Sequence, residues 1–290
     1  MCDQEQVRRW ASDRLTRRGF GGAALAVGAG ACAPKTADSA DMADADGGLT
    51  ESMVTIPTAA GTMDGFYVHP TKGKNKPVLI WPDIAGLRES KREMARRLAG
   101  EGYAVLVANP YYRDVKGEQF ADFADFAGNG GWEKVTPWRS RLDAEAIQSD
   151  ARAVATWFGK QDAVDQSAGI GTQGYCMGGP FTVWSVAAHE HFHAAASFHG
   201  GGLVRDSEDS PHRMLREDAH YLVAIAQNDD AKEPEAKTAL RNAVSATGTT
   251  AEIEVYAADH GWCVPDSPSY DRAEAERAWG RLLAIYSEAL

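Results

Sequence analysis

Apolar and polar positions along the chain alternate between two patterns. Residues 77–81 (Pro-Val-Leu-Ile-Trp) form an unbroken apolar run, the mark of a strand buried on both faces. Short strands are likewise predicted over 104–108, 168–175, 194–198, 221–226 and 251–256. Between them lie helical segments. Residues 89–101 are charged, with Met94 and Leu98 on one face, and end at Gly102. Further helices are predicted over 137–159, with Pro137 in the first turn, and over 177–190, 234–246 and 270–289. Two short strands, 53–57 and 63–69, flank the turn residues Ala60 and Gly61, and residues 109–136 read as a long loop. Strands separated by helices of about 10 to 20 residues require right-handed crossovers. The expected fold class is therefore α/β: one doubly wound, mostly parallel sheet covered on both faces, over residues 53–290.

The N-terminal segment follows neither pattern. Residues 1–33 carry five arginines against Asp3, Glu5 and Asp13. Arg17-Arg18-Gly19-Phe20 is a twin-arginine pattern, and the small apolar stretch 21–31 behind it is too short to span a bilayer. The segment reads as an export signal, which places the mature protein in the periplasm or cell envelope. Two processing routes stay open: cleavage after Ala33, or lipidation of Cys32 through an imperfect lipoprotein box at 29–32, which would tether the protein to a membrane. Residues 34–52, rich in Ser, Asp, Ala and Gly, read as a flexible linker.

Composition narrows the chemistry. With 44% hydrophobic and 24% charged residues the chain is globular, and a net charge of -11 has the wrong sign for binding a phosphate backbone. The four cysteines, at 2, 32, 176 and 263, lack the paired spacing of a disulfide framework or a four-thiolate metal site. Cys176 stands apart because Gly174-Tyr175-Cys176-Met177-Gly178-Gly179 has the Gly-x-nucleophile-x-Gly spacing where a predicted strand meets a predicted helix. Glycine two residues to either side permits the sharp turn, and amides at the helix start favour thiolate over thiol. The plainer reading is an inert buried cysteine beside a tight turn. A nucleophile in such a turn needs an acid and a base later in the chain. His260, after the strand 251–256, is the candidate base, and the acid should follow the strand 221–226, where Asp229 and Asp230 are both available. Spacing alone leaves the two open.

Taken together, these motifs resemble the dienelactone hydrolase family, cysteine members of the α/β-hydrolase fold. The resemblance covers about residues 54–288 and rests on residues 174–179, Asp230 ahead of Pro234, His260-Gly261-Trp262, and Trp81-Pro82-Asp83-Ile84-Ala85-Gly86. It implies Cys176 as nucleophile, Asp230 as the residue orienting His260, and an oxyanion hole on the amides of Met177 and Ile84. It further implies hydrolysis of a small ester or lactone through a thioester, with no metal or organic cofactor; the protein is expected to be a monomer. Asp83 stands where family members carry a glutamate that draws the thiol proton. Arg113 matches one of two arginines that clamp a substrate carboxylate, whereas the second position holds Val264. Tyr111 and Trp262 are expected to line the substrate pocket, and residues 120–126 to cover it.

Three rival signals bear on function. His189-Glu190-x-x-His193 satisfies a zinc-protease pattern, but only inside a helix, and here it falls where a helix gives way to a strand. His199 and the glycines after it resemble a lipase oxyanion loop, yet they follow the nucleophile instead of preceding it, which suits a pocket wall. An exported binding protein that keeps the fold without turnover is the remaining alternative. Cys263, three residues past His260, is expected either to be buried or to form a disulfide with Cys176.

Overall fold

A computed structural model describes residues 48–290. The export signal, Cys32 and the linker up to residue 47 lie outside the described residues. A single eight-stranded sheet runs in the order β1-β2-β4-β3-β5-β6-β7-β8. β1 (Leu49–Thr58) and β2 (Gly61–Pro70) form an antiparallel hairpin that pairs through β2 with β4 (Tyr103–Ala108), also antiparallel. The remaining pairs, through β3 (Lys76–Trp81), β5 (Ile170–Tyr175), β6 (Phe192–Phe198), β7 (His220–Ala226) and β8 (Thr250–Tyr256), are parallel. β1 begins within the expected linker: residues 49–52 pair with residues 67–70, because ladder hydrogen bonds outweigh their weak strand composition.

The sheet separates two cores, and the pleat decides which side chain enters each. Leu79, Trp81, Leu106 and Val223 face α4 (Ala144–Phe158) and α5 (Gly179–Ala188), while Val78, Ile80, Val107 and Leu222 face α1 (Glu89–Gly100) and α8 (Arg272–Ala289). The strands β3, β4 and β7 are therefore apolar on both faces. No helix among the described residues is long and apolar enough to cross a membrane.

The region 109–159 departs from expectation. Residues 123–139 hold two short helices, α2 (Phe123–Gly128) and α3 (Gly131–Arg139), and Pro137 falls inside α3 instead of opening α4. Asp143 opens α4, its carboxylate accepting the Ala146 amide at 2.8 Å. An accepting side chain satisfies an orphan amide, whereas a proline merely lacks one, so the aspartate sets the boundary. A further short helix, α6 (Gln227–Lys232), precedes α7 (Ala236–Thr247).

Candidate active site

The carboxyl ends of the parallel strands place the candidate side chains side by side, the usual location for a site in an open α/β sheet. β5 runs into a single 3₁₀ turn, Cys176–Gly178, before α5 begins. Cys176 adopts φ +52°, a strained conformation for a residue other than glycine. The flanking glycines permit it sterically. A Cβ at Gly174 would stand 2.0 Å from the Gly178 carbonyl oxygen, and one at Gly178 would stand 2.5 Å from that of Trp81.

His260 follows β8, and its position comes from contacts with α6. The His260 amide donates to Asn228 Oδ1 at 2.8 Å, and the Gln227 amide donates to the Ala258 carbonyl at 3.0 Å. The His260 Nδ1–H then meets Asp229 Oδ2 at 2.5 Å, which turns Nε2 toward the Cys176 sulfur. Burial opposes a charged ring here. The sulfur of Cys176 and the carboxylate of Asp229 outweigh it and push the His260 pKa up to about 9. Asp229 itself is held low: burial disfavours its charge, but the hydrogen bond and charge of His260 prevail.

A second histidine stands in the same place. His199, the first residue past β6, has φ +41° and is 2% exposed. Its ring meets that of His260 edge to face with centroids 4.5 Å apart, and donor atoms of Cys176, His199 and His260 all lie within 4.8 Å of one another. Burial, then the charge of His260, drop the His199 pKa to about 4, so this ring is neutral near pH 7. Sequence reasoning placed His199 in a pocket wall and missed its contact with the other two. The only available signal was its position at a strand end beside the nucleophile's strand.

The β3–α1 loop forms the opposite wall. Asp83 Oδ1 accepts the Ala85 amide at 3.0 Å and Arg88 Nη1 at 2.8 Å, while Oδ2 takes Arg88 Nη2 at 2.9 Å and Lys91 Nζ at 2.8 Å. Arg88 also reaches Asp266, whose Oδ2 accepts the Phe123 amide at 2.8 Å. This network joins the loop, the start of α1, the segment after His260, and α2. Phe123 on α2 and Cys176 line the same small chamber, a space of about 10 Å³, roughly one water molecule. Tyr111 hydroxyl donates to the Ile84 carbonyl at 2.8 Å and pins the loop beside Met177.

The sequence model of the Dienelactone hydrolase family matches residues 63–290. This chain belongs to the dienelactone hydrolase family. A Salmonella typhi protein named "Putative carboxymethylenebutenolidase" is 27% identical over 251 residues, 84% of this chain and 89% of its own. A carboxymethylenebutenolidase of Pseudomonas sp. (strain P51) is 24% identical over 237 residues, covering 82% and 94%. A dienelactone hydrolase-like promiscuous phosphotriesterase from metagenomic libraries shares the fold at TM-score 0.65, with 22% identity over 83% of this chain and 98% of its own. Family membership makes the protein a lactone or ester hydrolase.

Within this hydrolase, several expected placements are corrected. Asp229, not Asp230, reaches His260. Adjacent residues of α6 point about 100° apart, and Asp230 faces α7, where both its oxygens accept Lys237 Nζ at 2.7 Å. Arg113 does not reach the chamber either. Its guanidinium lies over the Tyr112 ring and pairs with the fully buried Asp150 at 2.7 and 2.8 Å. Trp262 is fully buried behind His199, stacked on Tyr256 at 5.2 Å, and Tyr111 supports the wall from outside the chamber. Asp83 lines the chamber, but Arg88 and Lys91 overcome its burial and hold its carboxyl well below the usual carboxylate range, which makes it a weak proton acceptor. No disulfide joins Cys176 to Cys263, and Cys263 lines a separate cavity behind the site. His189 terminates α5 in an extended conformation and His193 lies in β6, so the two cannot share a helix face. Among the described residues, the group suited to a metal is Cys176, His199 and His260.

Proposed function

We propose that the protein hydrolyses small, uncharged esters or lactones with Cys176 as nucleophile, His260 as acid and base, and Asp229 orienting the ring. The observation that carries this reading is the buried sequence sulfur, imidazole, carboxylate at the sheet's carboxyl edge, joined by the 2.5 Å contact between His260 and Asp229. The Cys176 thiolate attacks the acyl carbon, and charge gathers on the carbonyl oxygen between the amides of Met177 and Ile84. As the C–O bond breaks, His260 gives its proton to the departing alkoxide, leaving a thioester. A water molecule then gives a proton to His260 as it attacks that thioester, which releases the acid and returns the thiolate with its imidazolium.

Uncharged substrates are favoured because, among the described residues, the arginines and lysine nearest the chamber are spent on carboxylates: Arg113 is paired with Asp150, Arg88 and Lys91 with Asp83, and residue 264 is valine. The test compares wild type with Cys176→Ala on matched esters and lactones with and without a carboxylate. The expected outcome is turnover of the neutral members that the substitution abolishes while the far-ultraviolet circular dichroism stays unchanged. Activity retained by the alanine variant would refute the nucleophile, and a preference for carboxylates would refute the substrate class. The twin-arginine segment supports export to the cell envelope; fractionation of cells expressing the full chain, with Arg17→Lys and Arg18→Lys as control, tests it.

A further inference from the structure

We infer that Cys176, His199 and His260 form a three-donor site for a soft divalent cation, Zn²⁺ above all, whose occupancy silences the nucleophile. The cation site stands independently of turnover, whereas the silencing rests on the proposed role of Cys176 as nucleophile. Its basis is the donor set itself: one sulfur and two imidazole nitrogens, every pair within 4.8 Å, carried by the ends of β5 and β6 and the loop after β8. In a tetrahedral zinc site, with bonds of about 2.1 Å to nitrogen and 2.3 Å to sulfur, donors stand roughly 3.5 Å apart. The three side chains would have to close by about 1 Å, within the reach of small χ rotations.

Three further observations point to a cation. Neither ring nitrogen of His199 has an oxygen or nitrogen partner although the residue is 98% buried, and the polar group it faces is the Cys176 sulfur. His260 Nε2 likewise lacks an oxygen or nitrogen partner. Asp229 on His260 Nδ1 supplies the outer carboxylate that orients metal-bound imidazoles. A sulfur with two imidazoles selects Zn²⁺ or Cu over Mg²⁺ or Ca²⁺, which want oxygen donors. On binding, the cation replaces the proton shared by Cys176 and His260, which leaves to bulk water. The space of about 10 Å³ above the sulfur fits one water as fourth ligand. The thiolate is then a ligand and no longer a nucleophile, so the cation acts as a reversible inhibitor.

Cobalt reports on the site directly, because a thiolate bound to Co²⁺ gives a sulfur-to-metal charge-transfer band. The full chain carrying Cys2→Ser, Cys32→Ser and Cys263→Ser retains Cys176 as its one thiol. Titration with Co²⁺ should raise that band to saturation at one equivalent. Zn²⁺ should bleach it, Mg²⁺ should not, and ester turnover, where present, should fall with Zn²⁺ and return with chelator. His199→Gln should weaken Co²⁺ at least tenfold, and Asp229→Asn about ten- to a hundredfold. His199→Phe serves if the glutamine variant fails to fold. No band, or a band unchanged by both substitutions of His199, overturns the site even if the enzyme turns over esters. A band without turnover upholds the site and refutes the hydrolytic reading of Cys176 instead.

Discussion

Replacing Asp229 by asparagine isolates the contact on which the proposed chemistry turns. In the wild type the carboxylate accepts from His260 Nδ1 at 2.5 Å, with the ring 2% exposed, so solvent screens the pair little. A hydrogen bond to a charged partner contributes about 1.5 to 3 kcal/mol, and every 1.4 kcal/mol or so is tenfold in rate or equilibrium. Asp229→Asn should therefore lower kcat/KM for a neutral aryl ester by one to two powers of ten and draw the His260 pKa down from about 9 by one to two. The neighbouring Asp230→Asn removes a partly exposed pair with Lys237, worth about 0.2 to 1 kcal/mol of stability, and should leave kcat/KM within about twofold. The sign for stability follows from the direction of the shift. A folded-state His260 pKa raised above its ordinary 6.5 favours the fold fully below that pH, and the contribution is lost as pH rises through about 9. Wild type should lose melting temperature over that window, and Asp229→Asn should lose less of it. Steady-state kinetics, NMR titration of His260 and thermal melts from pH 6 to 10 measure all three. A collapse of activity in Asp230→Asn with Asp229→Asn unaffected would refute the assignment.

Two further substitutions separate support from substrate contact. Arg113→Ala leaves the fully buried Asp150 without its ion pair and should destabilise the fold by about 3 to 5 kcal/mol in urea titration; a rise in KM confined to carboxylate substrates, with stability unchanged, would show that Arg113 meets substrate after all. Phe123→Ala opens the space of about 10 Å³ over the sulfur and should speed alkylation of Cys176 by iodoacetamide, read by mass spectrometry; an unchanged rate would rule out Phe123 as the barrier.

Much of the site's frame is local, and local rules found it. The glycine spacing around Cys176 is demanded by backbone atoms within 2.0 to 2.5 Å, a constraint that any chain making this turn must meet. The apolar runs of β3 and β4 announce strands buried on both faces, and the helices between them leave little choice but a parallel sheet with a site at its carboxyl edge. His260 was legible for the same reason, as the histidine after the last strand.

What the chain order could not settle was decided by direction in space. Asp229 and Asp230 are equivalent as letters, and only the roughly 100° step along α6 sends one to His260 and the other to Lys237. Arg113 is drawn away by Asp150, 37 residues further on, and Asp83 is claimed by Arg88, Lys91 and a shared link to Asp266. His199 joins Cys176 and His260 because β6 lies beside β5, an adjacency made by the sheet. The sequence by itself thus determined the strands and helices of the parallel sheet, the class of fold and the nucleophile's turn, since these rest on periodicity and steric limits over a few residues, but not the short helices of residues 123–139. The tertiary structure alone decided which charges are spent on one another and which remain for chemistry, because buried ion pairs form between whichever side chains the packed elements bring within about 3 Å.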